Sequence, residues 1–412
     1  MLTENKKLEN SLRLGRKVIP APLFNLFQPL YHWALAWAGA VIYGFPSRSM
    51  KVVGVTGTKG KSTTVFLLAK IFEEAGESVA MIGSLGYKIK EKEWANNLKM
   101  TMPGRFRIQK FLAQAKRAGC KYVFLEVTSE GIKQKRHLGI KFDAAVLTNI
   151  QKEHLESHGS FEKYVKAKEQ LFKKTAHTHI LNEDEPLVEQ FKKIKSNKKI
   201  FYGERDWARL GLETSLKGAF NHYNLLAAAA VAENYRIPVE KIREAVKKIS
   251  AVKGRMEYIE AGQAFKVVVD YAHTPDSLAM VYDALKSDLP TGGRLIAVLG
   301  AAGGGRDKWK RPEFGRIAAH YADEIILTNE DPYDEDPAQI LNEIKTGIPS
   351  SQSGKLKEIL DRREAINTAL ASAKGHDIIV ITGKGSEISM ALANGQKISW
   401  SDQEVVLEFL KK

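Results

Sequence analysis

Lys51-Val-Val-Gly-Val-Thr-Gly-Thr-Lys-Gly-Lys-Ser-Thr-Thr64 runs from an apolar segment through a glycine loop into the opening of a helix. Val52, Val53 and Val55 read as a buried strand. Val65, Phe66, Leu67, Leu68, Ile71 and Phe72 follow at helical spacing up to Gly76. Gly57 and Gly60 allow a tight turn whose N–H groups point inward, and the helix start adds its positive dipole end. Gly57, Thr58, Lys59, Gly60, Lys61, Ser62 and Thr63 therefore form a candidate phosphate cradle. Lys61 is placed to neutralise β- and γ-phosphates and the Ser62 hydroxyl to ligate Mg²⁺. The spacing G-x-x-x-x-G-K-[ST] is not met, because position 55 is Val; the form here is T-G-T-x-G-K-[ST]. An ordinary strand-to-helix turn is the alternative, and the apolar strand before and amphipathic helix after weigh against it.

With 412 residues, 44% hydrophobic and 27% charged, the chain is globular and long enough for two or three domains. A single cysteine, Cys120, excludes a disulfide framework and fits a reducing cytoplasm, where the chain is expected. The net charge of +15 raises nucleic acid as a partner, but Lys and Arg are interleaved with acidic residues along the helical stretches, as Glu244 is within Lys241 to Lys248. Solvated helix faces account for most of that. No nucleic-acid partner is expected, and anionic small substrates fit better.

Residues 1–49 differ in character. Thr3 to Lys17 is polar and basic, and Val18 to Phe45 is rich in Leu, Phe, Trp and Ala, interrupted by Pro20, Pro22 and Pro29. The apolar run from Trp33 to Phe45 is shorter than the roughly 20 residues needed to span a bilayer, and no signal-peptide cleavage pattern follows. Packing on the next domain is the first expectation. Peripheral membrane contact is the second, with Trp33, Trp37 and Tyr43 at headgroup level beside Arg13, Arg16 and Lys17.

From Lys51 to Lys248 strand and helix patterns alternate, which predicts an α/β domain, residues 50–250, with a mostly parallel sheet. Chemistry should then gather at the C-terminal ends of the strands. Lys121-Tyr-Val-Phe-Leu-Glu-Val127 brings Glu126 there, a Mg²⁺ candidate beside a phosphate loop, with Thr128 and Ser129 next. Ala144-Ala-Val-Leu-Thr-Asn149 feeds a loop carrying His154. Taken alone, Glu126 could be a cap and His154 a loop histidine.

These segments resemble the Mur ligase family, the ATP-dependent amino-acid ligases of peptidoglycan synthesis, and within it the tripeptide-synthetase (MurE-type) branch. The resemblance runs from Lys51 to the C-terminus. The family's T-G-T-x-G-K-[ST], E-V-S-S-H and T-N-x-x-x-D-H-L-x-x-H-G segments appear as Thr56 to Ser62, Glu126 to Glu130 and Thr148 to Gly159, with Glu130 in place of His and Glu153 in place of Asp. Tyr164-Val-Lys-Ala-Lys-Glu-Gln-Leu-Phe172 is similar to a helix whose lysine, here Lys168, is carbamylated and ligates Mg²⁺ in the family. The resemblance thus implies ATP and Mg²⁺ as cofactors, Lys61, Lys168 and His154 as catalytic groups, and Ser62, Glu126, His154 and Lys168 as metal ligands. Thr101, Met102 and Pro103 correspond to the substrate-contacting T-T-P, with Met102 for Thr, and Thr128 and Ser129 join them. Asn221 and Asn224 match G-x-F-N-x-x-N-x-x-A-A, which faces the nucleotide.

Gly254-Arg-Met-Glu257 resembles the family's G-R-x-E, whose arginine, here Arg255, approaches ATP. Strand and helix alternation then restarts, predicting a Rossmann-like C-terminal domain, residues 251–412, reached through a linker at 251–254 about which the domains would close. Four strands end in polar loops: Asp270 to Asp276, Gly303 to Lys308, Asn329 to Pro332 and Thr382 to Glu387. By the resemblance, Asp270 and His273 line the ATP site and Arg306 holds the α-carboxylate of the incoming amino acid. Glu330, Asp331, Tyr333, Gly383 and Glu387 would surround its side chain. Members that use meso-diaminopimelate carry D-N-P-R, whose Arg grips the distal carboxylate; the aligned run here is Glu330-Asp-Pro-Tyr333. L-lysine or another basic or neutral amino acid is therefore expected in preference.

The expected activity is ligation of an amino acid to a muramoyl-peptide through an acyl phosphate, by a monomer whose partners are these small molecules. Family members bind UDP through a longer segment before the phosphate loop, and that recognition is not expected of residues 1–49. Two rivals remain: a folylpolyglutamate-type ligase, against which D-Y-A-H-T-P-D and R-D-K-x-K-R-P speak, and a basic P-loop ATPase that is no ligase.

Overall fold

The computed structural model describes residues 21–411 apart from 99, 152, 154–157 and 306, with residues 21–29 at the level of the backbone. The chain forms two units, one of residues 1–212 with 223–246, the other of residues 213–222 with 247–412. Each is built on its own sheet.

Among the described residues, the first unit begins with helix α1, Ala21–Ile42, which passes through Pro29. Strand β1, Lys51–Thr56, leads through the glycine loop into α2, Lys61–Glu74. Next come β2 (Val79–Gly83), β3 (Gly86–Ile89), β4 (Lys92–Trp94), α3 (Arg105–Arg117) and β5 (Tyr122–Glu126). After α4 (Ser129–Lys133) follow β6 (Ala144–Leu147), α5 (Phe161–Lys174), β7 (Thr178–Asn182) and β8 (Lys198–Tyr202). The strand order is β4-β3-β2-β5-β1-β6-β7-β8. From β2 to β8 neighbours are parallel, whereas β3 and β4 add as an antiparallel edge. Every residue of β1 after Lys51 is buried, as a central strand covered on both faces requires.

This order fixes where chemistry can gather. From β1 the chain first builds outward on the β5 side and later crosses to β6, so β1 lies at the switch point, where a crevice opens beyond the strand ends. Val55 pairs with Glu126 and Thr56 with Leu147, so the glycine loop, Glu126 and Thr148 emerge at one edge.

In the second unit β9 (Glu257–Ile259), β10 (Lys266–Val269), β11 (Leu295–Leu299), β12 (Glu324–Leu327), β13 (Leu356–Glu358) and β14 (Ile378–Ile381) form a sheet ordered β13-β12-β11-β14-β10-β9. It is parallel except for β9. Val268, Ala297, Ile325 and Val380 face one apolar layer, and Val267, Val298, Ile326 and Ile379 face the other. That is the two-sided burial of a doubly wound sheet, and the mixed α/β fold expected from the sequence is the one observed. A hairpin of β15 (Ser389–Ala391) and β16 (Lys397–Ser399) follows.

Candidate active site

The glycine loop is fixed by what packs against it. Gly57 has φ +155°, and a Cβ there would lie 1.8 Å from Thr148 Oγ1; at Gly60, φ +79°, it would lie 2.1 Å from Asn224 Oδ1. Neither position has room for a side chain. The segment after β6 holds the loop: Asn149 O accepts from Thr58 N at 2.8 Å, Asn149 Oδ1 accepts from Lys59 N at 2.8 Å, and Thr148 Oγ1 donates to Lys59 O at 2.7 Å. Thr58 Oγ1 accepts from Gln151 N at 2.8 Å and lies 2.9 Å from the Tyr164 hydroxyl. Gly60 caps α2, so the helix N-terminus faces the loop.

Two lysines meet this loop. Lys61 Nζ donates to Gly57 O at 3.1 Å and Thr58 O at 2.8 Å, and Lys168 Nζ donates to Gly57 O at 2.5 Å. Lys168 lies on the buried stripe of α5 with Tyr164, Val165, Leu171 and Phe172, and is 1% exposed. Burial first, then the positive charge of Lys61, holds its amine well below the ordinary lysine range. Burial and a neighbouring cation both favour the neutral, nucleophilic form of an amine, a setting a surface lysine lacks. Across the loop, the buried Glu126 accepts from Ser62 Oγ at 3.0 Å and from Ser84 N at 2.9 Å. A hydroxyl and a carboxylate side by side suit a hard cation. The Lys168 amine does not, unless converted to a carbamate.

The other candidates of this unit divide. Thr128 caps α4, accepting from Gly131 N at 3.0 Å, and Ser129 is buried beside it. Thr101 lies 2.8 Å from Ser84 through their hydroxyls, while Met102 packs into the apolar core and Pro103 is buried. His154 falls outside the described residues. Nearby, Glu130 lies 3.5 Å from His158, whose burial lowers its pKa against the pull of that carboxylate. Lys59 pairs with Glu153 at 3.4 Å.

In the second unit the polar strand ends form a charged scaffold. Asp270 accepts from Met256 N at 2.7 Å and Ala272 N at 2.6 Å, which fixes the turn after β10. His273 Nδ1 lies 3.0 Å from Tyr271 O, and the Arg255 guanidinium sits 4.4 Å above the Tyr271 ring. Asn221 donates to Lys217 O at 2.7 Å. Lys384, fully buried, donates to Asp331 at 2.9 Å, Glu387 at 2.6 Å and Ser389 O at 2.8 Å. Arg362 and Asp402, both buried, form a bidentate pair at 2.8 and 2.7 Å. Glu330 is buried where Gly383 leaves room for it, and burial pushes its carboxyl up to about 7. Glu335 accepts from Gly305 N at 2.8 Å and Arg311 at 3.0 Å, and that backbone bond is the first of the causes that pull it down to about 2. Tyr333 has φ +53°, with its ring beside Gly304. Arg306 falls outside the described residues.

Several participants escaped the reading of the sequence. Ser84 reaches Glu126 through its backbone, which no motif signals. Tyr164 supports both Thr58 and Lys168, whose Nζ lies 4.5 Å from its ring; the i, i+4 spacing with Lys168 carried that hint. Lys384 stood inside a quoted motif next to Glu387, but its role as the cation between Asp331 and Glu387 depends on Asp331, which is distant in sequence.

Residues 55–209 match the family model of the Mur ligase middle domain, and residues 254–385 that of the Mur ligase, glutamate ligase domain. A UDP-N-acetylmuramoyl-L-alanyl-D-glutamate–2,6-diaminopimelate ligase of Geobacillus thermodenitrificans is 34% identical over 92% of this chain and 82% of its own length. A UDP-N-acetylmuramyl-tripeptide synthetase of Roseiflexus is 36% identical over 91% of this chain and 81% of its own. A solved diaminopimelate ligase superposes with a TM-score of 0.58 at 30% identity, covering 88% of this chain and 78% of that one. E. coli FolC with ADP shares the fold, with a TM-score of 0.69 at 18% identity over 92% of each chain. The phosphate loop, the buried lysine of α5 and the second sheet thus occur together in a chain that belongs to the Mur ligase family, the ATP-dependent amide ligases, in its UDP-N-acetylmuramyl-tripeptide synthetase branch.

Proposed function

We propose that this chain joins an amino acid to the terminal carboxylate of a muramoyl-dipeptide, in the cytoplasm where ATP is available. A carboxylate oxygen attacks the γ-phosphorus of ATP and ADP leaves. The amine of the incoming amino acid then attacks the acyl carbon, loses a proton, and phosphate departs. The glycine loop, the N-terminus of α2 and Lys61 bind and neutralise the phosphates. Their preorganisation towards charge that develops during transfer supplies much of the rate. Asn224, against Gly60, orients the loop, and Asn221, Arg255, Asp270 and His273 serve the nucleotide.

The observation that carries this reading is Lys168, buried and bonded to the loop carbonyl of Gly57, where burial holds its pKa well below the ordinary lysine range. An amine in that state attacks CO₂, loses a proton and becomes a carbamate. With Ser62 and Glu126, and with His154, the carbamate would hold Mg²⁺, which supplies charge neutralisation at the transferring phosphoryl group. Arg306 would take the α-carboxylate of the amino acid. Mass spectrometry of the intact chain in bicarbonate, with phosphate release measured on UDP-N-acetylmuramoyl-L-alanyl-D-glutamate, tests both parts. Phosphate release independent of the dipeptide would point instead to a plain ATPase.

The amino acid is proposed to lack a distal carboxylate. Tyr333 takes the position of the arginine that would pair with it. Asp331, Asp334 and Glu335 are engaged by Lys384, Asn394 N and Arg311, so the missing guanidinium, more than an acidic field, sets the preference. Competition between L-lysine and meso-diaminopimelate decides this, and preference for the latter would overturn it.

A further inference from the structure

Helix α1 contains no Asp, Glu, Lys or Arg across its 22 residues. On one side it is seated in the first unit. Ala36 and Ala40 are fully buried, a Cβ on Gly39 would touch the α3 backbone at Phe106, 3.6 Å away, and Ala40 meets Gly139. Small residues at this spacing bring α1 close against α3 and the segment after α4. The opposite side is open. Leu30, Trp33, Trp37 and Val41, spaced three, four and four, are 62, 50, 39 and 62% exposed, and Ile42 adds 67%. Of the ten large hydrophobic side chains exposed among the described residues, six lie on this helix and the other four are scattered. Such concentration marks a surface that is covered in use.

The surroundings say by what. Helix α3 bears five basic residues and no acidic one. The segment 131–141 adds Lys133, Lys135, Arg136 and Lys141, again without an acid. Arg48, just beyond α1, and Lys141 are exposed. A second copy of the chain seated on this face would set basic segment against basic segment, a repulsive arrangement. An anionic lipid surface satisfies both features: acyl chains receive Leu30, Trp33, Trp37 and Val41, with indole N–H groups at headgroup level, and the lipid phosphates meet the basic rim. At about 33 Å the helix is long enough to lie as a stripe in the interface, and no described helix is long and apolar enough to cross the bilayer.

We propose that the exposed face of α1 docks this protein in-plane on an anionic membrane surface, with the basic residues around it as the electrostatic rim.

The test uses the full chain in vesicle flotation and tryptophan emission, on phosphatidylcholine alone and on phosphatidylcholine with phosphatidylglycerol. Binding to the anionic vesicles should exceed that to the neutral ones by at least about tenfold, with a blue shift and release at high salt. Trp33→Glu with Trp37→Glu should weaken vesicle binding by about tenfold or more, leaving phosphate release with the dipeptide unchanged. Exchanging Arg48, Lys116 and Lys141, all exposed, for Gln should cost about fivefold per side chain on anionic vesicles and nothing on neutral ones. Quenching of the wild-type emission by bromo-lipids gives the same answer without any substitution. Absence of flotation and quenching with both vesicles would overturn the proposal. So would light scattering that finds a dimer dissociated by the Trp pair of substitutions, because the face would then belong to a second copy.

Discussion

The two strand-end regions hold their cations in opposite ways. At the β1 edge, Lys61 and Lys168 rest on backbone carbonyls of the glycine loop, and burial lowers the pKa of Lys168. At the second sheet, Lys384 is locked between Asp331 and Glu387, Arg362 to Asp402, and Arg311 to Glu335 and Glu343. Carbonyl oxygens carry only partial charge, so an arriving polyphosphate outcompetes them at small cost. A buried carboxylate pair does not yield so easily. The first region leaves its lysines on weak partners that an anion can displace, and the second keeps its strand-end loops in place.

Four substitutions probe that contrast. Arg362→Ala should destabilise the protein by about 3–5 kcal/mol, because Asp402 is left buried without its cation; denaturant unfolding measures it, and a loss under 1 kcal/mol would mean the pair is not a structural lock. Glu330 gives a pH signature in the same region. Its carboxyl is raised from 4.5 to about 7 by burial. Below pH 4.5 folded and unfolded chains both hold the proton. Between pH 4.5 and 7 the unfolded chain has released it while the folded one keeps it, so stability falls as pH rises and levels off above 7. The fall amounts to about 3 kcal/mol at 1.36 kcal/mol per pH unit, and Glu330→Gln should remove it; an unchanged stability–pH curve would contradict the assignment.

At the other edge, Lys168→Ala should lower turnover by about 10²-fold, about 2.7 kcal/mol, with a far smaller change in Tm than Arg362→Ala. Added short carboxylates should partly restore it. Wild-type turnover would remove Lys168 from the chemistry. The smallest effect is expected from Tyr333→Arg, a shift of about tenfold, or about 1.4 kcal/mol, in kcat/KM towards meso-diaminopimelate. An unchanged ratio would place selectivity elsewhere.

Much of this was readable in advance, for local reasons. Valine runs and the glycine spacing announced β1, the loop and α2, because buried parallel strands and left-handed turns constrain composition. The alternation of elements announced two sheets. Met102, expected as a substrate contact only through the resemblance to T-T-P, is buried in the apolar core. Nor did the sequence predict that Asn221 and Asn224, one turn apart on a helix, would have different partners: Lys217 O for one and Gly60 for the other.

By itself, the sequence determined the phosphate loop, the alternation of strand and helix in two stretches, the family's lysine on α5 and the absence of charge along α1. Tertiary structure alone decided that Lys168 is buried against Gly57, that Ser84 and Ser62 share Glu126, that Asp331 and Glu387 are held by Lys384, and which face of α1 stays open. Periodicity reports whether a residue is turned inward. The pairing of charges and the protonation of an amine depend on groups tens or hundreds of residues away, and on water removed when they meet.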